Sequence, residues 1–86
     1  MNQAQAVPES MRNLLAEIFE ISPAEVTPGL SAGATPAWDS FGHLQAILAI
    51  EEAYGVRIDP QKVPELTSVG QLMQELESLG VSLNHD

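Results

Sequence analysis

Apolar side chains recur at helical spacing in three segments of this sequence, and stretches containing Pro and Gly separate the segments. The first segment consists of Met11, Leu14, Leu15, Ile18 and Phe19. Steps of three and four residues place all of these side chains on one face of a helix. The pattern therefore predicts an amphipathic helix from near Pro8 to near Glu20.

Capping residues and prolines predict where the next elements begin and end. The run from Ser22 to Glu25 has the form of a capping box with Pro at the first helical position, which indicates one short turn of helix. Residues 27–38 are rich in Pro, Gly, Ser and Thr and are predicted to form a long loop. A long helix is predicted to begin at Asp39 or Ser40, either of which can cap it, and to end at Gly55.

Two more elements complete the predicted bundle. Asp59 and Pro60 indicate a helix start, but Pro64 limits this third element to about one turn. Ser68 begins a second capping box, and apolar residues at helical spacing follow it as far as Leu79. The sequence thus predicts an all-α fold, a four-helix bundle with three main helices and one short third helix.

Size and charge restrict the classes of function. Residues 1–86 are expected to form a single domain, structured over about 8–80, with one modest core. The chain has 12 acidic and 3 basic residues, a formal net charge of -9, which would repel nucleic acid and anionic lipid. We therefore expect no nucleic-acid partner and no membrane insertion. The charge should either attract proteins with basic patches or serve solubility alone.

Cysteine content and the first residues bear on the cellular compartment. The sequence contains no Cys, which excludes disulfides, thiolate metal sites and a cysteine nucleophile. Residues 1–7 carry no basic side chain and lead into no continuous apolar segment. This predicts neither a signal peptide nor a transmembrane helix, and we expect a cytoplasmic protein.

The predicted long helix carries two apolar stripes. At about 100° per residue, one stripe consists of Ala46, Ile47, Ile50 and Tyr54, and the other, roughly 130° away, consists of Phe41, Leu44 and Leu48. The first stripe is expected to face the core. The second is either core as well or an exposed docking surface bordered by Gln45 and Glu52, and periodicity alone leaves both open.

Three stretches of the sequence match the landmarks of one family. They are Trp38-Asp39-Ser40-Phe41-Gly42-His43-Leu44, Ile50-Glu51-Glu52-Ala53-Tyr54-Gly55-Val56 and Thr67-Ser68-Val69-Gly70. They resemble the Asp-Ser-Leu signature, the Leu-Glu-Glu-x-Phe-Gly-Ile helix end and the Thr-Thr-Val helix start of the acyl carrier protein family. The spacing from Ser40 to Val69 fits without an insertion, so the resemblance extends over residues 8–80.

The resemblance implies a covalent cofactor on Ser40. In this family a phosphopantetheinyl transferase uses coenzyme A and Mg²⁺ to attach 4'-phosphopantetheine to the matching serine as a phosphodiester. Asp39 would then serve transferase recognition or the metal-assisted transfer. A helix N-terminus suits the phosphate, because free N–H groups and the positive end of the helix dipole meet it. From the residues alone, Ser40 or Asp39 would serve equally well as a plain helix cap.

The resemblance also implies a docking face for partner enzymes. The residues expected to contact partners are Trp38, Phe41, Leu44, Leu48, Glu51 and Glu52. Exposed ion pairs contribute under about 1 kcal/mol each, so the two glutamates should steer encounters more than hold a complex. The expected partners are the transferase, an acyl or aminoacyl loading ligase and a downstream acyltransferase or synthase, and the carrier is expected to be monomeric.

Several residues depart from the carriers of primary fatty acid synthesis. Gly42, His43 and Gln45 stand where those carriers usually place acids. Pro60 and Pro64 fall where they tend to have a longer, acidic third helix that lines the acyl pocket. These departures favour a specialised stand-alone carrier of lipid or secondary metabolite biosynthesis, including aminoacyl and D-alanyl types, and no motif identifies the cargo.

The function predicted from the resemblance is therefore delivery, with an acyl or aminoacyl cargo held as a thioester on the arm of Ser40. The alternative is an unmodified helical adaptor with a carrier-like fold, for which Ser40 would be dispensable. A hydrolytic set of Asp39, Ser40 and His43 is disfavoured, because Asp39 is not placed to orient the imidazole. No catalytic residue and no metal site is predicted, since the second histidine, His85, is terminal.

Overall fold

The computed structural model describes residues 6–83 of the chain and shows an all-helical fold. Its elements are α1 (Glu9–Phe19), α2 (Ser40–Tyr54), α3 (Val69–Ser78) and two single 3-10 turns, Pro23–Glu25 and Val63–Glu65. Within these residues the only β pairing is one isolated bridge between Ser31 and Ser68. The predicted all-α fold with three main helices and a short third element is confirmed. His85 lies outside the described residues.

The ends of α1 and α2 lie close to where the sequence predicts them. Glu20 terminates α1 in the left-handed conformation, with φ of 60°. Asp39, rather than Ser40, is the N-cap of α2, and its side chain accepts a hydrogen bond from the backbone N–H of Gly42 at 2.8 Å. Gly55 ends α2 in the left-handed region that glycine adopts without a steric penalty, with φ of 66°.

The third element begins later than predicted. The Asp59 side chain accepts a hydrogen bond from the N–H of Gln61 at 2.9 Å, which forms a local turn instead of a helix cap. The helical conformation appears only at Val63–Glu65, with Pro64 inside it. We call this segment the 63–65 turn. The prediction of a helix start at Asp59 and Pro60 was therefore wrong by about one turn, because an Asx turn competes with helix capping at such sites.

One apolar core joins the three helices. Its buried members include Met11, Leu15 and Phe19 from α1, Ala46, Ile47 and Ile50 from α2, and Val69, Leu72 and Leu76 from α3. Val26 and Trp38 from the connection between α1 and α2 also belong to it. Each large side chain buried in this way contributes about 1.5–3 kcal/mol relative to exposure.

The long loop of residues 27–38 is bonded to the start of α3. The N–H of Ala32 donates to the carbonyl of Thr67 at 2.8 Å, and the N–H of Val69 donates to the carbonyl of Leu30 at 2.9 Å. The second of these bonds uses a backbone N–H that the start of a helix leaves unpaired. The loop therefore reaches the beginning of α2 along a defined path.

Candidate functional site

Ser40 is the first residue of α2, and its side chain is exposed. Asp39 performs the capping, so the Ser40 hydroxyl has no structural bond to make. Among residues 6–83 it forms no hydrogen bond with the protein. This geometry argues against Ser40 as a plain helix cap. A capping serine would accept a hydrogen bond from the backbone N–H two or three residues later, as Ser68 does from Gln71.

Gly42 allows the loop to pack against the first turn of α2. A Cβ atom on this residue would collide with the backbone carbonyl oxygen of Ala37. Backbone cannot move aside as a flexible side chain can, so only glycine permits this approach. The contact fixes the path of the chain immediately before Asp39 and Ser40.

Trp38 is a core residue. Its side chain is 1% exposed, and its ring stacks on Phe19 of α1 with the centroids 4.3 Å apart. The prediction that Trp38 contacts partner enzymes is therefore corrected, because a partner that docks on this structure has almost no Trp38 surface to touch. Trp38 precedes the cap and packs against His43 in the fourth position of α2, which is the spacing of a hydrophobic staple.

His43 bonds two other parts of the chain through its two ring nitrogens. Nδ1 accepts the indole N–H of Trp38 at 3.1 Å, and Nε2 donates to the carbonyl of Val63 at 2.8 Å. Neither nitrogen is left to take a proton from Ser40, and the Asp39 carboxylate bonds Gly42 instead of the imidazole. These three side chains are not arranged as a hydrolytic triad.

The second apolar stripe of α2 is exposed. Phe41 is 69%, Leu44 is 54% and Leu48 is 65% exposed, whereas the stripe that contains Ile50 is buried. Periodicity left open whether this second stripe is core or surface, and the structure places it on the surface. We call Phe41, Leu44 and Leu48 the exposed stripe. It begins one residue after Ser40 and is bordered by the exposed side chain of Glu52.

The two glutamates near the end of α2 differ in their surroundings. Glu51 is half-buried, and its carboxylate accepts the backbone N–H of Ile58 at 2.7 Å, which joins α2 to the segment that follows it. Glu52 is exposed and lies on the same side of the helix as the exposed stripe. Of the two glutamates expected to contact partners, Glu52 is the one whose carboxylate is left available.

An open cleft of about 550 Å³ begins at Ser40. Its lining consists of Ala32, Gly33, Trp38, Asp39, Ser40, His43, Leu44, Val63, Pro64 and Thr67. The walls come from the long loop, the first turn of α2 and the 63–65 turn. A flexible group attached to Ser40 would find a largely apolar surface beside its anchor, with few polar groups to place it.

No helix within residues 6–83 is long and apolar enough to cross a membrane. In the same range, no three His, Asp or Glu side chains lie close enough to hold a metal ion together.

Comparison with known proteins gives one consistent family. The chain is 28% identical to acyl carrier proteins of Helicobacter pylori strains G27 and HPAG1 over 69 residues, which are 80% of this chain and 88% of those proteins. It is 27% identical to an acyl carrier protein of Thermosynechococcus vestitus over 73 residues, 85% of this chain and 89% of that protein. No family model matches the sequence. The chain is thus similar to acyl carrier proteins over most of its length, and the predicted resemblance is confirmed.

Sequence reasoning missed three features of the site. Gly42 is needed because the backbone of Ala37 packs closely against it, and no pattern in the local sequence predicts this contact. The bond from His43 to Val63 joins residues 20 positions apart. The burial of Trp38 did have a signal, because an apolar residue before a helix cap packs against the fourth residue of the helix.

Proposed function

We propose that this protein is a carrier that holds an acyl or aminoacyl group on a phosphopantetheine arm attached to Ser40. The observation that carries the proposal is the Ser40 hydroxyl, exposed at the start of α2 and relieved of capping by Asp39. The distant relationship to acyl carrier proteins supports the same residue and chemistry. The carrier itself is not an enzyme in this proposal.

The attachment step needs one nucleophile from this chain. The Ser40 oxygen forms a new P–O bond to the 4'-phosphopantetheinyl phosphorus of coenzyme A, while the bond between the two coenzyme phosphates breaks. The hydroxyl proton passes to a base of the transferase, and adenosine 3',5'-bisphosphate leaves. A hydroxyl that is neither buried nor hydrogen-bonded within the chain suits this role, because nothing in the fold has to be broken to present it.

The residues around Ser40 fit such a group. The N–H groups of Ser40 and Phe41 precede the first intrahelical bonds of α2, and the positive end of the helix dipole favours the phosphate there. The cleft beside Ser40 offers Leu44, Val63 and Pro64 to the apolar parts of the arm. When bound, the arm supplies a thiol that holds the cargo as a thioester within reach of successive enzymes.

The exposed stripe is the proposed docking face for those enzymes. Three large apolar side chains that lie open to water on one helix mark a binding surface more often than a solvated one. They extend along one side of α2 from the residue after Ser40, so a partner that covers them also reaches Ser40. Glu52 and the net charge of -9 favour partners with basic patches. The proposed partners are a phosphopantetheinyl transferase, a loading ligase and an acyltransferase or synthase.

The pathway is proposed from the departures within the motif. Gly42 and His43 stand where carriers of primary fatty acid synthesis usually have acids. Here Gly42 packs against the preceding loop, and His43 forms hydrogen bonds to Trp38 and Val63. We therefore propose a specialised stand-alone carrier of lipid or secondary metabolite biosynthesis.

A labelling experiment tests the proposal. The protein is incubated with a fluorescent coenzyme A analogue, Mg²⁺ and a broad-specificity phosphopantetheinyl transferase, and in-gel fluorescence is measured. Wild type and Ser68→Ala should label, and Ser40→Ala should not. Ser68 is the matched control, because it is also a serine at a helix N-terminus but is used there as a cap. Labelling of none of the three would favour the unmodified adaptor, and equal labelling of all three would show that the arm is attached to a residue other than Ser40.

A further inference from the structure

Two stacked aromatic rings occupy the interior next to the attachment site. Trp38 lies two residues before Ser40, is 1% exposed and stacks on Phe19 with an interplanar angle of 12°. Phe19 is 0% exposed. The space between α1 and the start of α2 is therefore filled by side chains of the protein itself.

His43 closes this interior towards the 63–65 turn. Its ring bonds the Trp38 indole on one side and the Val63 carbonyl on the other, at 3.1 and 2.8 Å. Any group entering between α2 and the 63–65 turn would have to break these bonds and leave part-buried polar atoms unpaired, which costs free energy. Trp38 and His43 together form what we call the aromatic plug.

The cleft beside Ser40 lies outside this plug. Trp38 and His43 line it together with Ala32, Leu44 and Val63, and it is open to solvent. An arm that starts at Ser40 can lie along this cleft, which leaves its far end, the end that carries the cargo, outside the helical core. The cleft therefore suits the arm, and the cargo lies beyond it.

We infer that the cargo of this carrier stays outside the helical core and is a short or polar acyl group, such as an aminoacyl group, rather than a long alkyl chain. This inference rests on the proposed function. A long alkyl chain in water gains free energy with each methylene that it buries, so a carrier of such chains benefits from an interior path near the anchor. The aromatic plug occupies that position here. A short or polar group gains little from burial and needs no such path.

The test uses the intact protein loaded with acyl groups of increasing length. A broad-specificity transferase attaches acetyl-, butyryl-, octanoyl- and dodecanoyl-phosphopantetheine from the corresponding coenzyme A thioesters, and the melting temperature of each form is measured. The expected result is the same melting temperature for all four. Burial of the additional methylenes would instead raise it progressively, on the order of 10 °C or more between acetyl and dodecanoyl.

The single tryptophan gives a second readout. Because Trp38 belongs to the plug, its fluorescence emission should not change with chain length in wild type. In His43→Ala, which removes both bonds of the plug but leaves the indole in place, a shift with chain length is expected. A progressive rise in melting temperature or a chain-length-dependent emission shift in wild type would overturn the inference. Failure to load any group on Ser40 would instead refute the proposed function and this inference with it.

Discussion

The carboxylate of Asp39 accepts the backbone N–H of Gly42 at 2.8 Å, so the residue before Ser40 caps the helix that Ser40 begins. This division of roles has a direct consequence for the site. A serine used as a cap holds its hydroxyl against the backbone, whereas Ser40 presents its hydroxyl to solvent. Because Asp39 is the cap, the hydroxyl of Ser40 is available for modification.

Replacing Ser40 should leave stability nearly unchanged. Ser40→Ala is expected to change the free energy of unfolding by less than about 0.5 kcal/mol, because the hydroxyl makes no bond within the described chain. Ser68→Ala should cost about 0.5–2 kcal/mol, because Ser68 caps α3. Urea unfolding followed by circular dichroism measures both. A loss for Ser40→Ala as large as that for Ser68→Ala would contradict the assignment of the cap to Asp39.

Gly42 should not tolerate a side chain. Gly42→Ala is expected to destabilise the protein by about 1–3 kcal/mol, because the new Cβ meets the carbonyl of Ala37. The matched control is Gly29→Ala, where a Cβ would meet nothing within 4 Å. That change should be neutral or slightly stabilising, by up to about 1 kcal/mol. Thermal unfolding measures the melting temperatures of the two variants. Equal values would be incompatible with the packing described for Gly42.

Truncating the exposed stripe should weaken partner binding without unfolding the carrier. Leu48→Ala is expected to raise the KM of the phosphopantetheinyl transferase for the carrier by about tenfold, equivalent to about 1.4 kcal/mol. The free energy of unfolding should change by less than about 0.5 kcal/mol, because Leu48 is 65% exposed. Leu79→Ala removes an exposed leucine at the end of α3 and should leave the KM unaltered. Equal effects of the two variants would argue against docking on the stripe.

Charge should act on the rate of encounter. Association of the carrier with its transferase is expected to slow between about 0.1 M and 1 M salt, as the Debye length falls from about 10 Å to about 3 Å. Glu52→Gln should lower the association rate at low salt, while Glu17→Gln on α1 should have a smaller effect. Stopped-flow kinetics measure both rates. Salt-independent association would remove the basis for electrostatic steering.

The helices were predictable from the sequence because their determinants are local. Apolar spacing defined the buried face of α1, and glycine or a capping side chain marked both ends of α2. The choice between Asp39 and Ser40 as cap was not predictable, because both residue types satisfy the same backbone N–H groups. It depends on the path of the preceding loop, which Gly42 allows to pack closely.

The surroundings of Ser40 were less predictable because they depend on distant residues. Trp38 was assigned to the surface, although its spacing to His43 is that of a hydrophobic staple. The bond of His43 to Val63 has no local signature. Periodicity described both stripes of α2 equally well, and only the packing of α1 and α3 determines which one is buried.

The attachment of a phosphopantetheine arm to Ser40 can be measured by mass spectrometry of the protein isolated from the cells that make it. We expect an intact mass raised by one phosphopantetheinyl group, and a proteolytic fragment that places this group on Ser40. An unmodified mass, both as isolated and after incubation with coenzyme A, Mg²⁺ and several transferases, would contradict it. The same holds if the group is found on any other serine.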